Sequence, residues 1–520
     1  MKLNIENMSL EQKIGMVFCA RRFEQEDIEF IIELIKKRAL GCVQLPAHSR
    51  KIVEQILSEA DYPILVFNDT ETGFPTSDLP KISLMSLAAC DNEEYYEAFA
   101  RGVVQDAKEA GFNGTWGPVI DVLRGDGPCK VYRHFSDRPD KVAEAAEIIA
   151  KIYKQNHYLS TGKHYPGGNN RPVDTHMVEG ISDVSEEELI AFDLAPYLYL
   201  QEKGLLPCIM SGHTVYPQID PDYPASLSKK VIDIIRHLGF DGIMFTDSFA
   251  MMGILQKYGE ENVYGMAVAA GNDIILPNFR HSTKECYEML LKNYRDGMFS
   301  EERLNEAVRR VLVAQEFVST KPEHPTVFTE ADRETLNNIA RDCITAITDD
   351  GVDAALPKDN SNRMFLIVTE NVYDPTVDNP EIETAHWYHP KEIAEKIRKE
   401  FPEAGIEFIP EFSGQRDNDR VLTAATKYKE VVCVTFCTTT SYLGTDGLTR
   451  RTEAVVNSLV GSGKVSAILH FGNPYALKTI DHVPRKIFGY MIRASQIHAI
   501  DVLAGKIEAK GKLPFEVKFN

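Results

Sequence analysis

Tyr158-Leu159-Ser160-Thr161-Gly162-Lys163-His164-Tyr165-Pro166-Gly167-Gly168 begins apolar and ends polar. Tyr158 to Thr161 reads as a short buried strand running into a loop, with Lys163 and His164 delivered at its end. A (β/α) scaffold places its chemistry at such strand ends. The loop then carries Asp174-Thr175-His176. In extended backbone, residues two apart lie on one side, so the Asp174 carboxylate can hold the His176 imidazole and raise its basicity. A cation, two histidines and an acid in one short span suggest a polar substrate and proton transfer. The bland alternative is a solvated loop with a helix cap.

Outward from this stretch, short β-rich runs alternate with longer segments of helical period, the pattern of βα units around a parallel sheet. The strand candidates are Gly41–Leu45, Ile64–Phe67, Gly114–Trp116, Tyr158–Thr161, Cys208–Met210, Gly242–Phe245 and Ile274–Leu276. Helices are expected at Asn92–Ala110, Lys141–Asn156 and Lys229–Leu238, and Ser9 with Gln12 predicts a capping box opening the first helix. Polar groups recur just after the strands: Asn68-Asp69-Thr70-Glu71, Pro118 to Asp121, Lys163-His164, Ser211-Gly212-His213 and Thr246-Asp247-Ser248. In a (β/α)8 TIM-like barrel those ends share one rim, whereas a doubly wound sheet gathers fewer of them.

Near residue 320 the pattern breaks. Ser319 to Thr326 is polar and proline-punctuated, and reads as a linker. A helix is expected from about Glu330 to Thr348. Strands at Met364–Val368, Val431–Phe436 and Val465–Leu469 then define a second, smaller α/β domain. The expected organisation is a catalytic domain over 1–318, a linker over 319–330 and an α/β sandwich over 331–520.

The 520 residues exceed one compact core. A formal net charge of −20 argues against nucleic acid and against an anionic membrane surface. No apolar run is long enough for a signal peptide or a membrane span. Nine cysteines are scattered without a Cys-x-x-Cys motif, as expected of reduced core thiols in the cytoplasm. No metal or other cofactor is expected; His386, Trp387 and His389 lack a supporting acid at ligand spacing. Thr438 to Ser441 and Arg450-Arg451 read as a loop and a solvated helix start.

Asp247 ends the apolar run Phe240–Thr246. A carboxylate there must be hydrogen-bonded or used, and it reads either as an N-cap for the next helix or as a reactive group. Asp69, Arg133, Lys163, His164 and His213 are donors and acceptors suited to hydroxyls, and a carboxylate nucleophile belongs to sugar chemistry. His176, with Asp174 to orient it, can exchange protons near neutrality.

These residues carry a resemblance to glycoside hydrolase family 3, most closely its bacterial β-N-acetylhexosaminidases. Met8–Gly15 resembles the opening helix of the family, Asp69–Gly73 its Asp-x-Glu-Gly-Gly, and Lys163–Gly167 its Lys-His-Phe-Pro-Gly. Gly117–Val122, Tyr132–Phe135, Asp174–His176, Phe245–Ser248 and the glycine-lysine pairs at 505–506 and 511–512 are similar to further family segments, in the same order. The resemblance implies a (β/α)8-like barrel followed by an α/β sandwich. It implies Asp247 as nucleophile, His176 as general acid/base held by Asp174, and Asp69, Arg133, Lys163, His164 and His213 as binders of a small β-linked amino sugar glycoside. The implied activity is that of a retaining, exo-acting β-N-acetylglucosaminidase. A phosphorylase, a β-glucosidase or β-xylosidase, and an inactive sugar-binding protein are the alternatives. The sequence departs from the family at Gly167 to Arg171, where Gly-His-Gly is usual, and at Thr72, which replaces a glycine.

Overall fold

In a computed structural model, the described residues are 3–125, 130–168, 173–357, 362–370, 387–437 and 447–520. The chain forms two compact units. One comprises Met1–Leu79, Tyr96–Pro128 and His134–Arg333; the other comprises Pro80–Tyr95, Cys129–Arg133 and Glu334–Asn520. The division is thus not a single cut along the chain. The expected metal-poor loop at His386 and the Thr438–Ser441 segment lie outside the described residues.

In the first unit, β1 (Cys19–Ala20), β2 (Cys42–Gln44), β3 (Leu65–Asn68) and β4 (Gly114–Thr115) make a parallel sheet in that order. The strands β5 (Thr161–Tyr165), β6 (Gly180–Ile181), β7 (Cys208–Ser211), β8 (Thr214–Tyr216), β9 (Asp220–Pro224) and β10 (Ile243–Thr246) follow. Of these, β10, β7 and β5 form a second parallel sheet, and β6, β8 and β9 a small mixed one. Single parallel bridges join Gly114 to Leu159, Phe245 to Ile274 and Phe18 to Ile275.

The strands carry apolar side chains because most of their positions are buried. Phe67 of β3, Trp116 after β4 and Phe245 of β10 pack with ring centroids 5.1–6.2 Å apart. Each such ring contributes about 2–3 kcal/mol of burial. Gly114 is required there, since a Cβ would lie 2.3 Å from the Phe67 ring. The helices between strands start on side-chain caps where the sequence supplies them. Ser228 accepts from Val231 N to open Lys229–His237, which buries Val231, Ile232, Ile234 and Ile235. The Ser9/Gln12 capping box is present, Ser9 N donating to Gln12 Oε1 and Gln12 N to Ser9 Oγ.

Two expectations are corrected. The strand expected at Tyr158–Thr161 instead runs over Thr161–Tyr165, so Lys163 and His164 belong to it. Lys163 pairs with Met210 of β7, and the register shifts between Lys163 and Tyr165, passing over His164. The helix expected to reach Thr348 ends at Asp342. The β-branched run after it forms β11 (Thr345–Thr348) of the second unit.

The second unit holds a six-stranded sheet. With β12 (Arg363–Thr369), β13 (Gly405–Pro410), β14 (Glu430–Phe436), β15 (Val465–Phe471) and β16 (Arg485–Phe488), its order is β11-β16-β15-β14-β12-β13. All pairs are parallel except β11 with β16. The fully buried β12 matches its unbroken apolar run.

Candidate active site

Asp247 directly follows β10. Its N–H donates to Ser211 O (2.8 Å), and its Oδ1 accepts from Ser248 N (2.7 Å). The next helix begins only at Met252 and has no side-chain cap, so the N-cap reading of Asp247 is excluded. Its side chain is 21% exposed and lies 4.0 Å from His164 Nε2. Burial alone would raise its pKa. The charges of His164 and His213, the Ser248 N–H and the charge of His176 outweigh that and hold the carboxyl well below the usual range. It is therefore an ionised carboxylate at neutral pH.

Asp174 and His176 sit in a turn rather than in the extended backbone expected from their spacing: Met177 and Val178 N–H both donate to Asp174 O. The side chains still meet. Asp174 Oδ1 accepts from His176 N (3.0 Å) and faces His176 Nδ1 (2.9 Å). The carboxylate is 1% exposed and the imidazole 25%. Met252 N donates to His176 O (2.9 Å), which ties this turn to the segment after Asp247.

Lys163, on β5, is buried between Asp69 (2.8 Å) and Glu71 (2.5 Å). Asp69 remains half exposed and available to a ligand. Asp121 holds His164 twice, accepting from His164 N (2.8 Å) and facing Nδ1 (2.8 Å), which leaves Nε2 turned toward Asp247. Burial would raise the Asp121 carboxyl, but the charge and hydrogen bonds of His164 bring it below its ordinary value.

His213 is buried and its ring is spent inside the protein. Nε2–H donates to Ser248 O (3.1 Å), and Nδ1 pairs with Ser226 Oγ (2.7 Å). Burial lowers its pKa first, against the opposing charge of Asp247. It braces the segment after Asp247 rather than facing a ligand. Arg133 falls in the second unit, at the end of the turn Val131–Arg133.

One contributor escaped the sequence reading. Arg21, after β1, donates to Ser248 Oγ (2.6 Å), Gln44 Oε1 (2.6 Å) and Pro277 O (3.3 Å). Asp121 and Glu71, named above only among the polar groups that follow strands, gain partners here: Asp121 holds His164 and Glu71 holds Lys163. Among the described residues no group of three or more His, Cys, Asp or Glu could hold a metal. The eight described cysteines are free thiols, and among the described residues no helix is long and apolar enough to cross a membrane.

Fold and site together define an α/β protein with a carboxylate directly after one strand, a salt-bridged lysine on another, and a carboxylate-held imidazole on a turn tied to the segment after Asp247. The family model described as "Glycosyl hydrolase family 3 N terminal domain" matches residues 10–314, more than half of the chain. The chain belongs to glycosyl hydrolase family 3. A Cellulomonas fimi protein named beta-N-acetylglucosaminidase/beta-glucosidase is 26% identical over 332 residues, which is 60% of this chain and 58% of that protein. The match thus spans under two thirds of that relative. Among solved structures, a family 3 beta-N-acetylglucosaminidase from Paenibacillus sp. str. FPU-7 superposes with a TM-score of 0.78 at 21% identity, covering 99% of this chain and 100% of that one. A beta-glucoside phosphorylase, BglX, gives 0.80 at 20% identity, covering 99% and 97%. At such identities the structural likeness speaks to fold.

Proposed function

We propose that the protein is a retaining, exo-acting glycoside hydrolase that removes terminal β-linked N-acetylglucosamine. The observation that carries this reading is the Asp247 carboxylate at its strand end, together with an imidazole that Asp174 grips at 2.9 Å on a turn tied by Met252 N to the segment after Asp247. In the first step an Asp247 oxygen bonds to the anomeric carbon while the bond to the leaving-group oxygen breaks, and His176 gives that oxygen its proton. In the second, water attacks the same carbon, His176 takes the water proton, and Asp247 departs. Asp69, Lys163 and His164 Nε2 hold the sugar hydroxyls; Arg133 keeps only the role implied by sequence resemblance. The bridges at Gly114, Phe245 and Phe18 support reading the strands of the first unit as one (β/α)8-like ring. We read residues 1–318 as the catalytic domain, 319–330 as a linker and 331–520 as the second domain. The free buried thiols support a cytoplasmic setting.

The test is a 2-fluoro-sugar inactivator followed by peptide mapping. The adduct is expected on Asp247; an adduct on another residue overturns the assignment. Aryl β-N-acetylglucosaminide is expected to be turned over faster than the matching β-glucoside, and the reverse order rejects the amino sugar. A second reading, transfer to phosphate, is favoured by the imidazole in the acid/base role, because a neutral group repels an incoming anion less than a carboxylate does. Release of sugar 1-phosphate in phosphate buffer would establish it.

A further inference from the structure

The turn carrying His176 is closed at its base by a clasp that the chemistry above does not use. Gly168 lies before the turn and Ser182 after it, and Ser182 Oγ donates to Gly168 O (2.5 Å). Tyr216 OH donates to Gly167 O, and Ser182 N to Val215 O (2.9 Å). Both glycines have positive φ, 84° at Gly167 and 71° at Gly168, and a Cβ on Gly167 would lie 3.1 Å from Asp193 Cβ. Side chains are therefore excluded at the clasp by both strain and contact.

The clasp is locked from outside by one ion pair. Asp193, fully buried in the helical turn Leu189–Asp193, accepts from Gly168 N at Oδ1 (2.9 Å). The same carboxylate takes the fork of Arg124: Nε reaches Oδ1 (2.8 Å) and Oδ2 (3.1 Å), and Nη2 reaches Oδ2 (2.7 Å). The guanidinium is itself aimed, by Glu188 at 2.6 Å and by stacking on Phe192 at 4.4 Å. A buried carboxylate with a two-bond guanidinium partner has one geometry open to it. One of its oxygens is spent on the backbone amide at the foot of the His176 turn.

We propose that Arg124 and Asp193 are positioning residues for the acid/base. Their ion pair fixes Gly168, the Gly168–Ser182 clasp fixes the foot of the turn, and Met252 N fixes His176 O at its top. This rests on the reading of His176 as general acid/base.

The experiment compares phenyl and 2,4-dinitrophenyl β-N-acetylglucosaminides in Arg124→Gln and Asp193→Asn. The phenyl substrate needs a proton to leave, whereas the dinitrophenyl substrate does not. Misplacing His176 is expected to lower kcat/KM for the phenyl glycoside about 10- to 100-fold, within the range general acid catalysis supplies, and to leave the dinitrophenyl value within about 3-fold. With the dinitrophenyl substrate, kcat and KM are expected to fall together as the glycosyl-enzyme accumulates. Azide, which needs no base, is expected to restore kcat. Arg124→Lys keeps the charge but loses the fork, and is expected to recover part of the loss. Equal losses on the two substrates, or no loss on either, overturn the proposal. If a single variant does not fold, the double variant Arg124→Met/Asp193→Leu, which leaves no buried unpaired charge, Glu188 being half exposed, is read by the same criteria. His176→Ala separates the two readings. If it lacks the leaving-group split, the acid/base assignment fails; if it has the split and the clasp variants do not, only the positioning role fails.

Discussion

Replacing Asp174 by Asn keeps shape and removes one charge, which isolates what that charge does for His176. The carboxylate is 1% exposed and its Oδ1 lies 2.9 Å from Nδ1. With charge centres about 4 Å apart and an effective dielectric of about 20, the attraction for an imidazolium is about 4 kcal/mol. The imidazole is 25% exposed, and solvent screening reduces this to about 2–3 kcal/mol. That loss falls on whichever step makes His176 cationic. For a substrate with a good leaving group, this is the attack of water on the glycosyl-enzyme. The expected result is a drop in kcat of about 30- to 150-fold, at unchanged melting temperature, because Asn can still accept from His176 N. Pre-steady-state kinetics should show the first burst of aglycone at near wild-type rate and the following steady state slowed. A steady-state rate within about 3-fold of wild type would refute the reasoning. Asp174 would then be an orienting group whose charge does no work.

Lys163→Met leaves Asp69 and Glu71 facing each other without their shared cation. A rise in KM of at least about 10-fold is expected from lost substrate binding, with about 1–3 kcal/mol of lost stability from removing the cation between two carboxylates; steady-state kinetics and urea melts check both. His470, fully buried in the second unit between Thr435 Oγ1 (2.9 Å) and Asn473 O (2.9 Å), is pushed by burial from 6.5 down to about 4. Its unfolded form takes a proton first, so stability is complete above pH 6.5 and about 3 kcal/mol is lost as pH falls toward 4. His470→Gln should flatten that acid slope in urea midpoints measured from pH 7 to pH 4.5, and an unchanged slope would exclude His470 as its source. Asp273 is fully buried and binds Arg236 (2.7 Å), Arg303 (2.5 Å), Arg310 (3.2 Å) and Met244 N (2.9 Å). Asp273→Asn should cost about 3–5 kcal/mol and lower the calorimetric Tm of the first unit by about 5–8 °C.

What was legible in the sequence was what depends on local order along the chain. The strand-end position of Asp247 follows from an apolar run that stops at an acid, and the Asp174/His176 contact survives although the backbone there turns rather than extends. Either geometry brings residues two apart within reach, and so the prediction was right for a partly wrong reason. Arg21 was missed because β1 is only Cys19–Ala20 and follows a helix without a turn signal. Its pairing with β2 and the bond of Phe18 to Ile275 make it a strand. The β8–β9 pair was missed because Asp220-Pro221-Asp222 lacks any apolar alternation. The Thr345–Thr348 strand was absorbed into a helix because its partner, Arg485–Phe488, lies far along the sequence. For β1 and β11 the deciding partner is non-local, which periodicity does not register, whereas β8 and β9 are close in sequence and lack only the apolar alternation.

The same contrast runs through the candidate site. Asp247 is fixed by a strand: its N–H is bound by the neighbouring strand and its carboxylate by the next amide. His176 sits on a turn whose order comes from partners distant in sequence, namely Met252, Ser182 and the Arg124–Asp193 pair. In the proposed mechanism an attacking carboxylate meets one carbon along one line, so a rigid strand end suits it. A proton carrier must serve the departing oxygen and then the arriving water, so small displacements of a turn are tolerable provided its foot does not slide. A substitution that loosens the strand end, such as one at Ser211, should therefore slow both steps alike for every leaving group. One that loosens the turn should discriminate between leaving groups, and the ratio of the two losses locates the damage.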